Sequence, residues 1–176
     1  VFNVEFELRR AGVRDRARLV FLTNEAELGD FGVDGLQLKA GGYTDVVFVD
    51  AMTNHLSDEQ VRQRIAEAKP DVIGCTALTP AIYKAEGLLK LAKELDPGVV
   101  TVLGGIHGTF MYPQVLQEAP WIDAVVRGEG EQVFLNLVGA IEDGSFGRDR
   151  GCVRGIAYLA DGQVVATAAE SSIKDL

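Results

Sequence analysis

Short apolar runs alternate with longer amphipathic segments along most of the chain. The runs are rich in Val, Ile and Leu and predict strands over residues 18–23, 45–50, 71–76, 99–103 and 124–127. Between them, apolar residues recur at spacings of three and four, as in helices that bury one face. The alternation indicates βαβ units. We therefore expect an α/β fold with a doubly wound, parallel, five-stranded sheet.

Residues with strong terminal preferences set the predicted helix boundaries. Ser57 is a good N-cap, and Gln60 stands three residues later, where it can complete a capping box. Pro80 suits the first turn of the next helix. The predicted helices cover residues 58–68, 80–95, 113–118 and 130–141. A polar, glycine-rich turn at 143–151 precedes two short strands around Ala160-Asp161-Gly162, which predict a C-terminal β-hairpin.

Composition limits the classes of protein to consider. The 176 residues are 47% hydrophobic, which suits one globular domain over residues 1–176, with residues 152–176 as a hairpin extension. The net charge of −9 argues against a nucleic-acid partner, because phosphate binding needs a basic surface. No apolar run reaches the roughly 18–20 residues of a membrane span. Cys75 and Cys152 are far apart, so we expect no metal site and a reducing, cytoplasmic location.

Small and hydroxyl-bearing residues follow three of the predicted strands. They are Thr76, Ala77, Leu78 and Thr79 after one strand, Gly104, Gly105, His107 and Thr109 after the next, and Gly128, Glu129, Gly130 and Glu131 after the last. In open parallel sheets, ligands bind outside the carboxyl ends of the strands. The paired glycines let a flat ligand approach the backbone closely. These groups predict one site for a large planar ligand with polar edges, although each alone also suits an ordinary turn.

Several common catalytic motifs are missing from the sequence. It has no G-x-G-x-x-G after a strand, no G-x-x-x-x-G-K-[ST] and no G-x-S-x-G. These absences argue against a dinucleotide-binding enzyme, a P-loop protein and an α/β-hydrolase.

Residues from about 36 onward resemble the cobalamin-binding domain that precedes the catalytic part of many radical S-adenosylmethionine (SAM) enzymes. The segments that carry the resemblance are KAGGY, DVVFVDA, PDVIGCTALTP, VVTVLGGIHGTFMYP and IDAVVRGEGEQVF. Within that family, KAGGYTDVVFVDAMTNHLSDEQV is most similar to the oxidative cyclases of bacteriochlorophyll synthesis. The resemblance implies a flavodoxin-like fold and the cobalamin-binding module of a radical enzyme of tetrapyrrole biosynthesis.

The resemblance also implies roles for matching residues. Thr76-Ala77-Leu78 matches the family's S-x-L segment, with Thr in place of Ser, and Gly104-Gly105 matches its Gly-Gly pair. In the family these segments line the groove for the nucleotide tail and the lower corrin face. The expected cofactor-binding residues are Thr76, Ala77, Leu78, Thr79, Gly104, Gly105, His107, Gly128, Glu129 and Gly130. The family's D-x-H-x-x-G loop is missing, so we expect no histidine ligation of cobalt on that face.

The sequence departs from a complete radical enzyme in two ways. It has no C-x-x-x-C-x-x-C motif, so the iron–sulfur cluster and SAM are expected in a separate catalytic domain that acts as partner. Residues 1–35 resemble a sulfide:quinone-type flavoprotein instead, which indicates a fusion. Two other functions stay open: a structural α/β domain that retains no cofactor, and a flavin or mononucleotide binder.

Overall fold

The structure is a computed structural model that describes residues 19–23 and 46–50, as backbone, and residues 55–170 in full. Within these residues, seven strands form one sheet. They are β1 (Leu19–Thr23), β2 (Val46–Asp50), β3 (Val72–Thr76), β4 (Val100–Gly104), β5 (Ala124–Val126), β6 (Ile156–Ala160) and β7 (Gln163–Ala166). Their order across the sheet is β2-β1-β3-β4-β5-β6-β7.

The first five strands are parallel, as the apolar runs predicted. Their order, 2-1-3-4-5, is that of a doubly wound, flavodoxin-like sheet. The register places Thr76 at the end of β3 beside Gly104 at the end of β4. The predicted hairpin is present, and its strands β6 and β7 extend the sheet beyond β5 in antiparallel orientation.

Five α-helices connect these strands within the described ranges. They are α1 (Asp58–Ala68), α2 (Ile82–Leu95), α3 (Gly105–Glu118), α4 (Gly130–Glu142) and α5 (Ser145–Arg148). The predicted capping box is confirmed, because the Ser57 hydroxyl accepts from Gln60 N and the Gln60 side chain accepts from Ser57 N. Pro80 lies in a short 3-10 turn, Thr79–Ala81, that leads into α2. Among the residues described, none of these helices is long and apolar enough to cross a bilayer.

Each face of the sheet has its own hydrophobic core. On one face, Ile73, Leu103 and Val125 pack with the apolar residues of α1, α2 and α3. On the other face, Val72, Val102, Ala124 and Val126 pack against α4 and α5. Successive residues of a strand point to opposite faces, so a strand that is apolar throughout supplies both cores. Cys75 is buried among the first set.

The structure corrects two sequence predictions. Helix α3 starts at Gly105 rather than at residue 113, and non-helical backbone at Met111 kinks it just before Pro113. Glycines and a proline are poor helix formers, so propensity hides the first half of this helix. The predicted turn at 143–151 contains α5 and a 3-10 turn, Arg150–Cys152. The predicted fusion segment, residues 1–35, lies outside the described residues apart from β1.

Candidate functional site

Gly105 lies where the loops after β3 and β4 come closest. Its φ is +92°, a conformation that L side chains rarely adopt. A Cβ at this position would stand 2.7 Å from Ala77 O and 2.7 Å from Thr76 Oγ1. Both the backbone angle and the close contact therefore require glycine. The neighbouring Gly104 differs, since a Cβ there would meet no atom within 4 Å and would point into open space.

Hydrogen bonds join the loop after β3 to the start of α3. Ala77 N donates to Gly104 O at 3.2 Å, and His107 N donates to Ala77 O at 3.3 Å. The His107 ring contributes a further bond, with Nδ1 at 3.1 Å from Thr79 Oγ1. The two segments singled out after β3 and β4 thus form one continuous surface.

The loop after β5 joins the same surface through a side chain. Thr109 Oγ1 donates to Gly105 O at 3.0 Å and accepts from Gly128 N at 3.1 Å. Glu129 follows as the N-cap residue of α4, and Gly130 is the first residue of that helix. The structure therefore brings the three predicted groups of residues to one edge. Their binding role stays a prediction.

Exposed apolar side chains lie at this edge, and the sequence prediction gave a role only to Leu78. Leu78 is 48% exposed, Ile106 57% and Phe110 72%. Leu78 follows Ala77 and Ile106 precedes His107, the two residues that a hydrogen bond joins. Ile106 and Phe110 are four residues apart and share one face of α3. Their spacing would have revealed this pair if α3 had been predicted to start at Gly105.

Arg127 directly follows β5, and its side chain contacts α3 and the residue after β7. Its guanidinium lies 5.0 Å from the centre of the Tyr112 ring and donates to Thr167 O. Within the described part of the chain, no group of three or more His, Cys, Asp or Glu side chains is arranged to hold a metal ion. Besides the exposed Glu129 and the His107 ring, the edge presents backbone, hydroxyl and apolar groups to a ligand.

A charged cluster lies at the opposite, amino end of the same strands. The Asp123 carboxylate is 2.7 Å from Lys93 Nζ and 2.9 Å from Arg150 Nη2. It also accepts from Thr101 N at 2.9 Å. The Thr101 hydroxyl, fully buried, lies 2.6 Å from Trp121 O. This cluster fixes the segment before β5 to β4 and to the end of α2.

A buried carboxyl group lies on α2, outside both ends. Glu86 is 7% exposed, and burial raises the pKa of its carboxyl, with the nearby Glu118 carboxylate adding to the effect. The Trp121 indole N–H donates to the backbone carbonyl of Glu86 at 2.9 Å. These contacts place Glu86 on the side of α2 that faces the end of α3, so it has no part in the candidate site.

Comparison with known proteins identifies the family. A model of the B12 binding domain matches residues 30–138. The chain therefore belongs to the B12-binding domain family, and the resemblance drawn from its segments is confirmed.

Several curated relatives carry the name anaerobic magnesium-protoporphyrin IX monomethyl ester cyclase. The protein of Rubrivivax gelatinosus is 72% identical over 140 residues, which are 79% of this chain and 25% of the relative. That of Cereibacter sphaeroides is 51% identical over 139 residues, which are 79% of this chain and 23% of the relative. The chain thus spans about a quarter of the length of these relatives.

A solved structure has the same fold. It is the cobalamin-dependent S-adenosylmethionine radical enzyme OxsB with aqua-cobalamin and S-adenosylmethionine bound. The match has a TM-score of 0.67 and 18% sequence identity, and it covers 92% of this chain and 23% of that enzyme. At this level of identity the likeness establishes the fold alone.

Proposed function

We propose that this chain is the cobalamin-binding module of a radical SAM enzyme of tetrapyrrole biosynthesis. The observation that carries the proposal is the union of three strand-end loops into one surface, through Gly105, His107 and Thr109. Ligands of open parallel sheets bind at this edge. Membership of the B12-binding domain family supports cobalamin as the ligand.

The residues at the edge fit the chemistry of cobalamin. A corrin ring is broad and apolar on its faces, and Leu78, Ile106 and Phe110 offer exposed apolar surface beside it. Open space over Gly104 and Gly128 leaves backbone groups accessible to the amide side chains at the rim of the ring. Cobalamin, when bound, supplies a cobalt centre to the catalytic part of the whole protein.

The binding residues that we propose are those predicted from the sequence. Thr76, Thr79 and His107 supply polar side-chain groups, and Ala77, Gly104, Gly105 and Gly128 supply mainly backbone. Leu78 supplies apolar contact, and Glu129 and Gly130 complete the loop before α4. The chain has two histidines, His55 and His107, and neither belongs to a D-x-H-x-x-G loop after β1. We therefore propose base-off cobalamin without ligation by a lower-face histidine of this domain.

The activity of the whole protein is a further part of the proposal. High identity to two proteins named as magnesium-protoporphyrin monomethyl ester cyclases supports an oxidative cyclase of bacteriochlorophyll synthesis. In that case this domain acts beside a catalytic domain that holds an iron–sulfur cluster and SAM. The domain itself binds and positions the cofactor. We place the enzyme in the cytoplasm.

Gel filtration with hydroxocobalamin tests the cofactor assignment. The protein is mixed with excess hydroxocobalamin, separated from free ligand and examined by visible absorption. We expect corrin absorbance in the protein peak, with a base-off spectrum. Elution of protein without corrin absorbance would contradict the assignment for this chain.

A structural domain without a cofactor is the competing function. The missing D-x-H-x-x-G loop favours it, because that loop receives the nucleotide tail in the wider family. Such a domain would unfold cooperatively at a temperature that cobalamin does not change. A yellow protein that releases flavin on denaturation would instead indicate a flavin binder.

A further inference from the structure

We propose that Thr109 is a positioning residue for the cofactor site, and that its hydroxyl sets where the loop after β5 lies. This inference rests on the proposed cobalamin site and identifies the contact that gives the site its shape. The loop contains Gly128, Glu129 and Gly130, which are three of the proposed binding residues.

The Thr109 hydroxyl bridges two segments that are far apart in sequence. It donates to Gly105 O, four residues earlier in α3, at 3.0 Å. That bond fixes the side-chain rotamer, as in other helices where Thr bonds the carbonyl one turn back. A hydroxyl can accept while it donates, so its lone pair is free to accept from Gly128 N at 3.1 Å.

The first turn of α3 is a rigid anchor for this bridge. A Cβ on Gly108 would stand 3.1 Å from Val125 Cγ1, so the helix backbone is packed closely against β5. At its start, Gly105 packs as closely against Ala77. This close approach leaves the helix little room to shift toward the sheet. If the bridge is lost, the loop after β5 is therefore the part that moves.

The bond to Thr109 holds the loop after β5 at Gly128, where the chain turns. Gly128 has a φ of +76°, and a Cβ there would meet no atom within 4 Å. Before it, Arg127 N donates at 2.9 Å to the carbonyl of Gly155, the residue that precedes β6. After it, the chain enters α4 at Gly130. Thr109 holds Gly128 between these two fixed points.

Three variants test the inference. Thr109→Val keeps the branched shape but loses the hydroxyl, and Thr109→Ser keeps the hydroxyl. Thr101→Val is the matched control, since Thr101 is buried at the other end of β4 and its hydroxyl bonds Trp121 O. The affinity of each folded variant for hydroxocobalamin is measured by absorbance titration. Exchange of the Gly128 amide hydrogen is followed by NMR without ligand.

We expect Thr109→Val to bind cobalamin roughly three- to tenfold more weakly, the factor that corresponds to one hydrogen bond. Exchange of the Gly128 amide should accelerate by a similar factor. Thr109→Ser should restore both values. Thr101→Val should lower the melting temperature while leaving affinity unchanged, so general destabilisation would not reproduce the Thr109 pattern.

The outcomes separate this inference from the proposed function. If wild type binds and Thr109→Val binds equally well, the inference is overturned and the cobalamin assignment stands. If wild type binds no cobalamin, the assignment fails, and the amide exchange alone decides whether Thr109 holds the loop. Unchanged Gly128 exchange in Thr109→Val overturns the inference in either case.

Discussion

The two ends of β3, β4 and β5 differ in how their polar groups are satisfied. At the amino end, one carboxylate, Asp123, meets Lys93, Arg150 and the backbone of Thr101 within 3 Å. At the carboxyl end, loops are joined mainly through backbone atoms and hydroxyls, and Ile106 and Phe110 are left exposed. The same strands therefore end in a closed charge network on one side and an open surface on the other.

This difference indicates that the two ends of the strands have different roles. A charge that is mostly buried is stable only when its partners are fixed in place, so the amino end contributes to stability. Exposed apolar groups and bare backbone contribute little to folding and suit ligand binding. Substitutions at the amino end should therefore change stability, and substitutions at the carboxyl end should change cofactor affinity.

The largest expected effect is the loss of folding stability when Asp123 is replaced. Replacement by Ala leaves Lys93 and Arg150 without their carboxylate partner and removes the acceptor of Thr101 N–H. We expect a loss of about 3 kcal/mol in the free energy of unfolding, by analogy with other partly buried ion pairs. Urea denaturation measures it, with Asp123→Asn as an intermediate control. Unchanged stability, or a lower cobalamin affinity of the folded variant, would contradict the claim that the amino end affects stability alone.

Substitutions of the two neighbouring glycines should have different effects: one should lower stability, and the other should lower cobalamin affinity. Gly105→Ala places a Cβ at a φ of +92° against Ala77 O, and we expect a cost of about 2 kcal/mol. Gly104 has extended backbone with φ of −121°, which alanine adopts freely. Gly104→Ala should therefore keep its melting temperature and bind cobalamin about tenfold more weakly, because its Cβ enters the open space. Equal melting temperatures for the two variants would contradict this geometry.

The exposed apolar surface should contribute to affinity alone. Phe110→Ser removes a side chain that is 72% exposed, so stability should change by less than about 0.5 kcal/mol. Cobalamin affinity should fall roughly three- to tenfold, because the ring would cover that surface. Val165→Ser is the control, since Val165 is exposed on β7 outside the edge. A similar loss of affinity in the control would remove the special role of Phe110.

The smallest expected effect is a change in the pH dependence of stability when Glu86 is replaced. Glu86 lies at neither end of the strands. Its carboxyl has a pKa above the ordinary value of 4.5 in the folded chain, so the folded state favours the protonated form. The charged form therefore costs stability at neutral pH, and this cost disappears as the pH falls below 4.5. Glu86→Gln should be more stable than wild type at pH 7 and equal to it at low pH. Urea titrations at several pH values check this, and Glu118→Gln should show a smaller change of the same sign.

Hydrophobic patterning was sufficient to predict the strands and most helices. DVIGCT and VVTVL are mostly apolar because both faces of the sheet are covered, and Ser57 with Gln60 marked the start of α1. The convergence of Thr76, Gly104 and Gly128 followed from the rule that parallel strands end at one edge. Local sequence and one topological rule were enough for these features.

The features that sequence reasoning missed depend on contacts between distant segments. The first half of α3 contains glycines that propensity disfavours, but Gly105 is required there by its contact with Ala77, and Gly108 lies close against Val125. Asp123, Lys93 and Arg150 are separated by tens of residues, and no motif links them. The role of Thr109 depends on the position of Gly128, 19 residues away, which only the fold defines.

Thermal unfolding with and without hydroxocobalamin tests the central claim most directly. A ligand that binds only the folded state raises its stability, by about 2.7 kcal/mol at a hundredfold excess over Kd. We predict that the melting temperature rises with hydroxocobalamin concentration, and that Asp123→Asn keeps the same increment from a lower starting value. A melting temperature that does not change with cobalamin would contradict the claim that the carboxyl edge of this sheet is a cofactor site.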